Sequence, residues 1–278
     1  MIMDTIVGDF YIAGDVLQRS VDNNRQFDPD NYRFYEVLRI VEGVPLFLED
    51  HAKRLRKALD TVNCNIPQAD LRIKRGLSEI IIANHGLKGN AKLLCNPENN
   101  SLKIAAYYIP HRYPTEEEYR KGIAMMTYRI ERPEPNLKQT EVSNLIGKTI
   151  KQVFKASGIF EVLLLNHKNL ITEGSRSNIF LIKDQVLYSA PDELILKGIT
   201  REYVLAIARD EKIRVEFKKI RADRVRDFDS AFICGTSNKI LPVNRINNIC
   251  FHPDNLITRK IMEEYDRKIN EYLECKRD

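Results

Sequence analysis

The segment Ile171-Thr-Glu-Gly-Ser-Arg-Ser-Asn-Ile-Phe-Leu-Ile182 constrains this chain more than any other. A short apolar strand ends on one carboxylate, Glu173, then small hydroxyl and amide residues follow, and a second strand begins near Asn178. A carboxylate set into apolar β structure is costly unless donors or a cation meet it. Ser175, Ser177 and Asn178 gather such groups beside it. The pattern therefore points to a buried carboxylate facing a ligand with a basic nitrogen.

The rest of the chain alternates strands and helices. Phe34–Ile40 reads as a strand, Glu42-Gly43 as a turn, and Val44–Leu48 as the returning hairpin strand. A helix follows over about residues 49–61, with Leu55 and Leu59 on one face. A second helix covers about 68–84, with Leu71, Leu77, Ile80 and Ile81 at helical spacing and Gly86 as its stop. Strands around 92–95 and 102–109 join through a turn at Asn99-Asn100. The stretch Pro110–Glu118 carries two prolines and a charge run without periodicity, which sets a boundary between domains 1–114 and 115–278. Beyond it come a strand at 123–130 and a helix at 143–157 striped by Ile146, Ile150, Val153 and Phe154, with Gly158 as its stop. Strands follow at 159–165, 170–172, 178–183 and 186–189. Helices at 200–211 and 256–275 bracket strands near 214–220, 230–234 and 240–246. The fold class is α/β, with mixed sheets in two domains.

Composition narrows the function classes. A net charge of +5 over 278 residues is small and dispersed, so nucleic acid is not an expected partner. No apolar run approaches the ~20 residues of a membrane span, and the N-terminus lacks the features of a signal peptide. Cys64, Cys95, Cys234, Cys250 and Cys275 are scattered, without metal-like spacing, and read as reduced thiols of a cytoplasmic protein; no metal site is expected.

Three further segments carry chemistry. Leu196-Lys-Gly-Ile-Thr-Arg201 leads into a helix with Gly198 ahead of it and Thr200 as its N-cap, and free amides at a helix start favour an anion. Cys234-Gly-Thr-Ser-Asn-Lys-Ile-Leu-Pro-Val243 is a strand, a polar turn and a strand; alone it is only a turn. Leu48-Glu-Asp-His-Ala-Lys-Arg-Leu55 places Arg54, a planar fork of donors suited to phosphate, one turn after His51, for which a structural or surface role is expected.

Taken in order, these four segments resemble the fold-type IV pyridoxal-phosphate enzymes, the branched-chain and D-amino-acid aminotransferases and aminodeoxychorismate lyase. The resemblance covers nearly the whole chain and is firmest from Phe160 to Val243. It implies a two-domain, D-amino-acid-aminotransferase-like fold, pyridoxal 5'-phosphate as cofactor, and a homodimer. It implies that Glu173 pairs with the protonated ring nitrogen, and that Arg54, the Ile199 and Thr200 amides after Gly198, and Thr236 with Ser237 as second choice bind the phosphate. Ser175, Ser177 and Asn178 would touch the ring face and hydroxyl. Tyr35 would line the substrate pocket and Arg176 would meet a substrate carboxylate, although a core aromatic and a surface arginine are the plainer readings of each. The implied reaction is transfer of an amino group between an amino acid and a 2-oxo acid. The alternatives are elimination of pyruvate, as in the lyase, or a protein that binds the cofactor without turnover.

The last alternative arises at the lysine that holds the cofactor aldehyde. In the family it lies about 32 to 34 residues before the ring-binding glutamate, just ahead of a helix. That window falls on Gln139, Thr140 and Glu141. An ungapped match of Glu141-Val-Ser-Asn-Leu-Ile-Gly147 to the family pattern puts Glu141 on the lysine position. One extra residue in the connection brings Lys138 there instead, in a Pro-Asn context like that of several subfamilies. Lys138 is the expected catalytic residue, with Glu141 as the competing assignment. Lys148, Lys151 and Lys155 are expected to be solvated, and His111-Arg112 to be linker rather than a carboxylate trap.

Overall fold

A computed structural model describes residues 5–20, 28–63, 68–98, 101–157 and 159–277, with the side chains of 151–157 outside the description. The chain packs into two compact units. The first comprises Met1–Arg112, Leu137–Asn144 and Tyr272–Asp278, and the second Tyr113–Asn136 and Leu145–Glu271.

In the first unit, β1 (Val7–Ala13), β2 (Val16–Arg19), β3 (Phe34–Val41) and β4 (Val44–Pro45) precede α1 (Leu48–Asp60) and α2 (Ala69–Ala83). Then come β5 (Gly89–Glu98) and β6 (Ser101–Ile109). The strands form one sheet in the order β2-β1-β6-β5-β3-β4, antiparallel throughout. Burial alternates along β3: Phe34, Leu38 and Ile40 pack with Leu55, Leu59, Ile73, Leu77 and Ile80 of the two helices. Leu71 does not join that stripe. It stands 62% exposed, because it lies two residues from Ile73 and so about 200° around the helix from the packed face. The β3–β4 turn has positive φ at both Glu42 (53°) and Gly43 (76°), the twist a two-residue hairpin needs. The returning strand is shorter than the hairpin pattern suggests, since helix begins already at Leu48. The turn read at Asn99-Asn100 and the stop at Gly158 lie outside the described residues.

The start of α1 shows a tertiary cap. Phe47, its N-cap, sits at φ 55° with no side-chain cap of its own. The free Leu48 N–H donates instead to the Tyr272 hydroxyl (3.1 Å), which donates in turn to Glu49 (2.6 Å), and Lys276 pairs with Glu49 (2.7 Å). Burial alone would raise the Glu49 carboxyl, but these bonds hold it down to about 2. Tyr272→Phe is expected to destabilise the protein by roughly 1 kcal/mol, the cost of losing a cap. Urea unfolding measures this, and an unchanged midpoint would contradict the cap.

The second unit contains α3 (Glu116–Lys121), β7 (Ile123–Arg129), most of α4 (Thr140–Ser157), β8 (Glu161–Leu165), β9 (Ile171–Gly174), β10 (Asn178–Lys183) and β11 (Val186–Ser189). After these come α5 (Ile199–Asp210), β12 (Val215–Phe217), β13 (Ser230–Gly235), β14 (Lys239–Ile246), β15 (Ile249–Cys250) and α6 (Leu256–Arg277), whose last turns belong to the first unit. Thr115–Glu118, which lacks periodicity in sequence, nonetheless starts α3: the Thr115 side chain caps the Glu118 N–H, and the Glu118 carboxylate accepts from the Thr115 N–H. Strand order is β12-β11-β10-β13-β14-β7-β8-β9, with β15 on β14. Pairing is mixed, parallel at β11/β12, β14/β7 and β7/β8. One face buries Leu163, Ile171, Ile179, Ile233, Leu241 and Val243 in a single apolar core. Because β10 lies beside β13 with Asn178 opposite Cys234, the end of the Glu173 segment reaches the start of the Thr236 turn. No helix among the described residues is long and apolar enough to cross a membrane, and no group of metal-ligating side chains gathers among them.

Candidate active site

The sequence-predicted residues fall into two groups, one in each unit. In the second unit Glu173 is the third residue of β9, 3% exposed. Its Oε2 accepts from the Leu196 N–H (3.0 Å) and, at longer range, from the Asn178 amide (3.4 Å). Its Oε1 accepts from Nε of Arg132 (2.6 Å), a residue that no sequence motif singles out. Burial is the largest influence on this carboxyl and raises its pKa above 4.5, against the opposing pull of Arg132, the Leu196 amide and Arg201.

The polar break after Glu173 is tied down by a second carboxylate. Glu161, 0% exposed at the head of β8, accepts from Ser175 Oγ and, at 3.4 Å, from Ser177 Oγ. Gly174 allows that fold, since a Cβ there would lie 2.1 Å from Ser177 Oγ. Arg176 points out, its side chain 70% exposed and 4.0 Å from Glu161. Two serines expected at a ring are thus partners of a buried acid. An acidic residue opening the otherwise apolar run Glu161–Leu165 is the signal that would have found it.

Asn178 links this segment to the start of α5. Its amide donates to the Leu196 carbonyl (2.8 Å), and a Cβ on Gly198 would come 2.2 Å from its Oδ1, so only glycine permits the approach. Gly198, rather than Thr200, is the N-cap of α5. Thr200 stands second in the helix, and its hydroxyl faces that of Tyr265 at 3.3 Å, so the helix begins two residues earlier than the side-chain chemistry suggests. The N-cap residue of α5 contributes no side-chain bond to its first amides. Arg201 is fully buried and clamps this helix start through Ser189 (3.3 Å) and Asp192 (2.9 Å). Thr236 and Ser237 are half-buried in the β13–β14 turn. Beside them burial pushes the Cys234 thiol up to about 12, which keeps it protonated and unreactive.

In the first unit the centre is Glu36, 1% exposed, on the same inward row of β3 as Phe34 and Leu38. Arg54 grips it with two bonds, Nε to Oε1 (2.7 Å) and Nη2 to Oε2 (2.6 Å). His51 Nδ1 lies 2.8 Å from Oε2, and Lys138 Nζ lies 3.5 Å from it and 4.8 Å from the Tyr35 ring centroid. Burial alone would raise the Glu36 carboxyl; Arg54, Lys138 and His51 together hold it well below 4.5. Burial lowers His51 against the pull of Glu36, so it serves as a neutral donor within the cluster. Arg54 and Lys138 thus share one buried carboxylate. Lys138 is set there by backbone pairing: its carbonyl accepts from the Tyr35 N–H (3.1 Å), and the Thr140 N–H donates to the Arg33 carbonyl (3.0 Å). Glu141, three residues on, is exposed in the first turn of α4. Lys148, His111 and Arg112 are also exposed. An acid on the inward row of an amphipathic strand is the signal that would have found Glu36.

A two-sheet α/β chain with a buried glutamate ahead of an uncapped helix start has the architecture of a fold-type IV enzyme. The family profile described as "Amino-transferase class IV" matches residues 33–246, and the chain belongs to that family. It is 28% identical over 230 residues to the D-alanine aminotransferase of Bacillus licheniformis, covering 77% of this chain and 78% of that one. It is 30% identical over 221 residues to the branched-chain-amino-acid aminotransferase of Pseudomonas aeruginosa, covering 74% and 72%. In fold it is similar to the branched-chain amino acid aminotransferase of Escherichia coli, with TM-score 0.80 and 20% identity over 95% of each chain. It is also similar to the branched-chain aminotransferase of Thermoproteus uzoniensis with norvaline, with TM-score 0.79 and 22% identity over 95% of each.

Proposed function

We propose that this protein is a pyridoxal-phosphate-dependent aminotransferase that exchanges an amino group between an amino acid and a 2-oxo acid, working as a homodimer. The observation that carries the reading is Glu173. It is a buried carboxylate with directed donors on Oε2 and spare acceptor capacity on Oε1, in a family whose relatives are named for this reaction. The residues present fit the cofactor: a carboxylate has about four lone-pair positions and three are used here, leaving one for a ring N–H. The uncapped amides of α5 and the backbone approach that Gly198 permits suit a phosphate.

Bound pyridoxal phosphate supplies an aldehyde that captures amines and a ring that withdraws electrons. Glu173 holds a proton at the ring nitrogen. The Ile199 and Thr200 amides, with the hydroxyls of Thr236 and Ser237, anchor phosphate in the second unit, and Asn178 and Ser177 border the ring. In the first unit, Arg54, bound to Glu36 through Nε and Nη2, would be the phosphate-binding arginine. Lys138 would hold the aldehyde carbon through Nζ, and its amine would carry the proton at the substrate α-carbon. Tyr35 lines the substrate and Arg176 meets its carboxylate.

Borohydride reduction of the protein with pyridoxal phosphate, followed by peptide mapping, tests the assignment. A label on Lys138 is expected. Cofactor bound without any reducible bond would favour the second reading, a binding protein with Glu141 at the lysine position, for which the ion pair holding Lys138 to Glu36 speaks. Release of pyruvate from an aminodeoxychorismate substrate would move the reaction to the lyase class. Glu173→Gln is expected to slow turnover on the order of 10²-fold while phosphate anchoring persists. An equal loss of cofactor affinity and rate would contradict its role.

A further inference from the structure

We infer that Arg132 is a positioning residue: it is the resident counter-ion of Glu173 and holds that carboxylate with one oxygen lone pair open to a protonated ring nitrogen. The inference rests on the cofactor reading above and goes beyond it, because nothing in the sequence pattern assigns a role to Arg132 in the loop between β7 and α4. Both partners lie within the second unit, with side chains 7% and 4% exposed.

The geometry is specific about which lone pairs remain. A guanidinium bound to a carboxylate in the usual two-pronged way closes both oxygens. Arg54 binds Glu36 in that way. Arg132 does not: only Nε reaches Oε1, at 2.6 Å, while its Nη1 is buried without a hydrogen-bond partner among the described residues. Oε2 is taken by the Leu196 N–H and the Asn178 amide. One acceptor position on Oε1 therefore stays unused, beside a cation whose pull opposes the rise that burial gives this carboxyl. The orphaned Nη1 is the cost of this one-pronged contact, since a buried donor without a partner is unfavourable.

Charge explains why the contact is needed. A carboxyl buried to this degree favours its neutral form, and a neutral acid cannot hold a proton on a weakly basic ring nitrogen. The charged groups acting on Glu173 are Arg132 and Arg201, and Arg201 is already committed to Asp192 and Glu202. Arg132 is thus the one cation hydrogen-bonded to the Glu173 carboxylate among the described residues.

The test follows bound pyridoxal phosphate by its absorption spectrum and by equilibrium dialysis in the wild-type protein, Arg132→Gln, Arg132→Lys, Glu173→Gln and the Arg132→Gln/Glu173→Gln double variant. The wild-type spectrum is expected to keep one ring-protonation form between about pH 6 and 9. Arg132→Gln is expected to show a transition inside that window and roughly tenfold weaker binding, the loss of a charge-assisted hydrogen bond. Arg132→Lys should restore most of both. In the double variant the Arg132 change should add nothing, because the group it acts through is gone. Equal spectra and affinities across wild type and both single Arg132 variants, or an undiminished Arg132 effect in the Glu173→Gln background, overturn the inference. Failure of the wild-type protein to take up the cofactor rejects the cofactor reading itself, and Arg132's role with it.

Discussion

Replacing Lys138 with alanine is expected to remove both the reducible bond to pyridoxal phosphate and the transfer of an amino group, lowering kcat by about 10²–10⁴-fold or more. The size follows from its two duties, covalent attachment and proton movement at the α-carbon. Glu36 and Tyr35 flank its amine, and Lys92, whose Nζ lies 5.3 Å from the Tyr35 ring centroid, is a second lysine beside that ring. Arg54 stays protonated at any working pH, and His51 is turned to Glu36. The measurement is single-turnover absorbance with an amino acid donor, alongside borohydride mapping of the wild-type and Lys138→Ala proteins. Retention of the reducible bond in Lys138→Ala would assign the attachment to another lysine. Unchanged turnover would remove Lys138 from the reaction. Glu141→Ala is the companion variant: on an exposed first turn, with no described bond to the Glu36 cluster, it should leave both readouts near wild type.

The sequence was legible wherever local patterning and local chemistry agree. The Glu42-Gly43 hairpin is marked by its glycine, and the helix stripes by Leu55, Leu59, Leu77 and Ile80. Glu173 stands out because a strand, a polar break and a strand leave a carboxylate nowhere else to go. Legibility failed where the deciding partner lies far along the chain. Arg132 meets Glu173 across 41 residues, from a loop whose pattern points to Lys138 and not to Arg132. The cap on α1 comes from Tyr272, 224 residues beyond Leu48. β1 and β2 escaped notice because Gly8 and Asp9 interrupt the alternation of the first and the second exposes Val16 and Leu17. Thr200 misled in a different way. Its side chain is that of a good cap, yet the close approach of Gly198 to Asn178 starts the helix sooner.

Glu36→Ala is expected to be the most destabilising single change in the first unit, at about 3–5 kcal/mol. The loss arises less from the bonds removed than from what is stranded. Arg54 is 13% exposed and Lys138 14% exposed, and both would lose the carboxylate that they share with His51. The acid dependence has a definite sign. The folded-state pKa of Glu36 lies well below its ordinary 4.5, so its stabilising contribution is complete above that value and is lost as pH falls through the depressed one. The stability gap between wild type and Glu36→Ala should accordingly be widest near neutrality and close in strong acid. Glu173 acts in the opposite sense, because its raised pKa makes the folded state the better proton binder, so its contribution grows as pH falls. Urea unfolding, followed by hydrogen exchange of α1 amides to isolate the first unit, measures the gap. Glu36→Leu combined with Arg54→Met should recover much of the loss, since an apolar pair of similar volume can replace a buried ion pair without stranding charge. A cost below about 1 kcal/mol for Glu36→Ala, the range of a surface ion pair, would mean that the cluster is solvated and that Lys138 is not held by it.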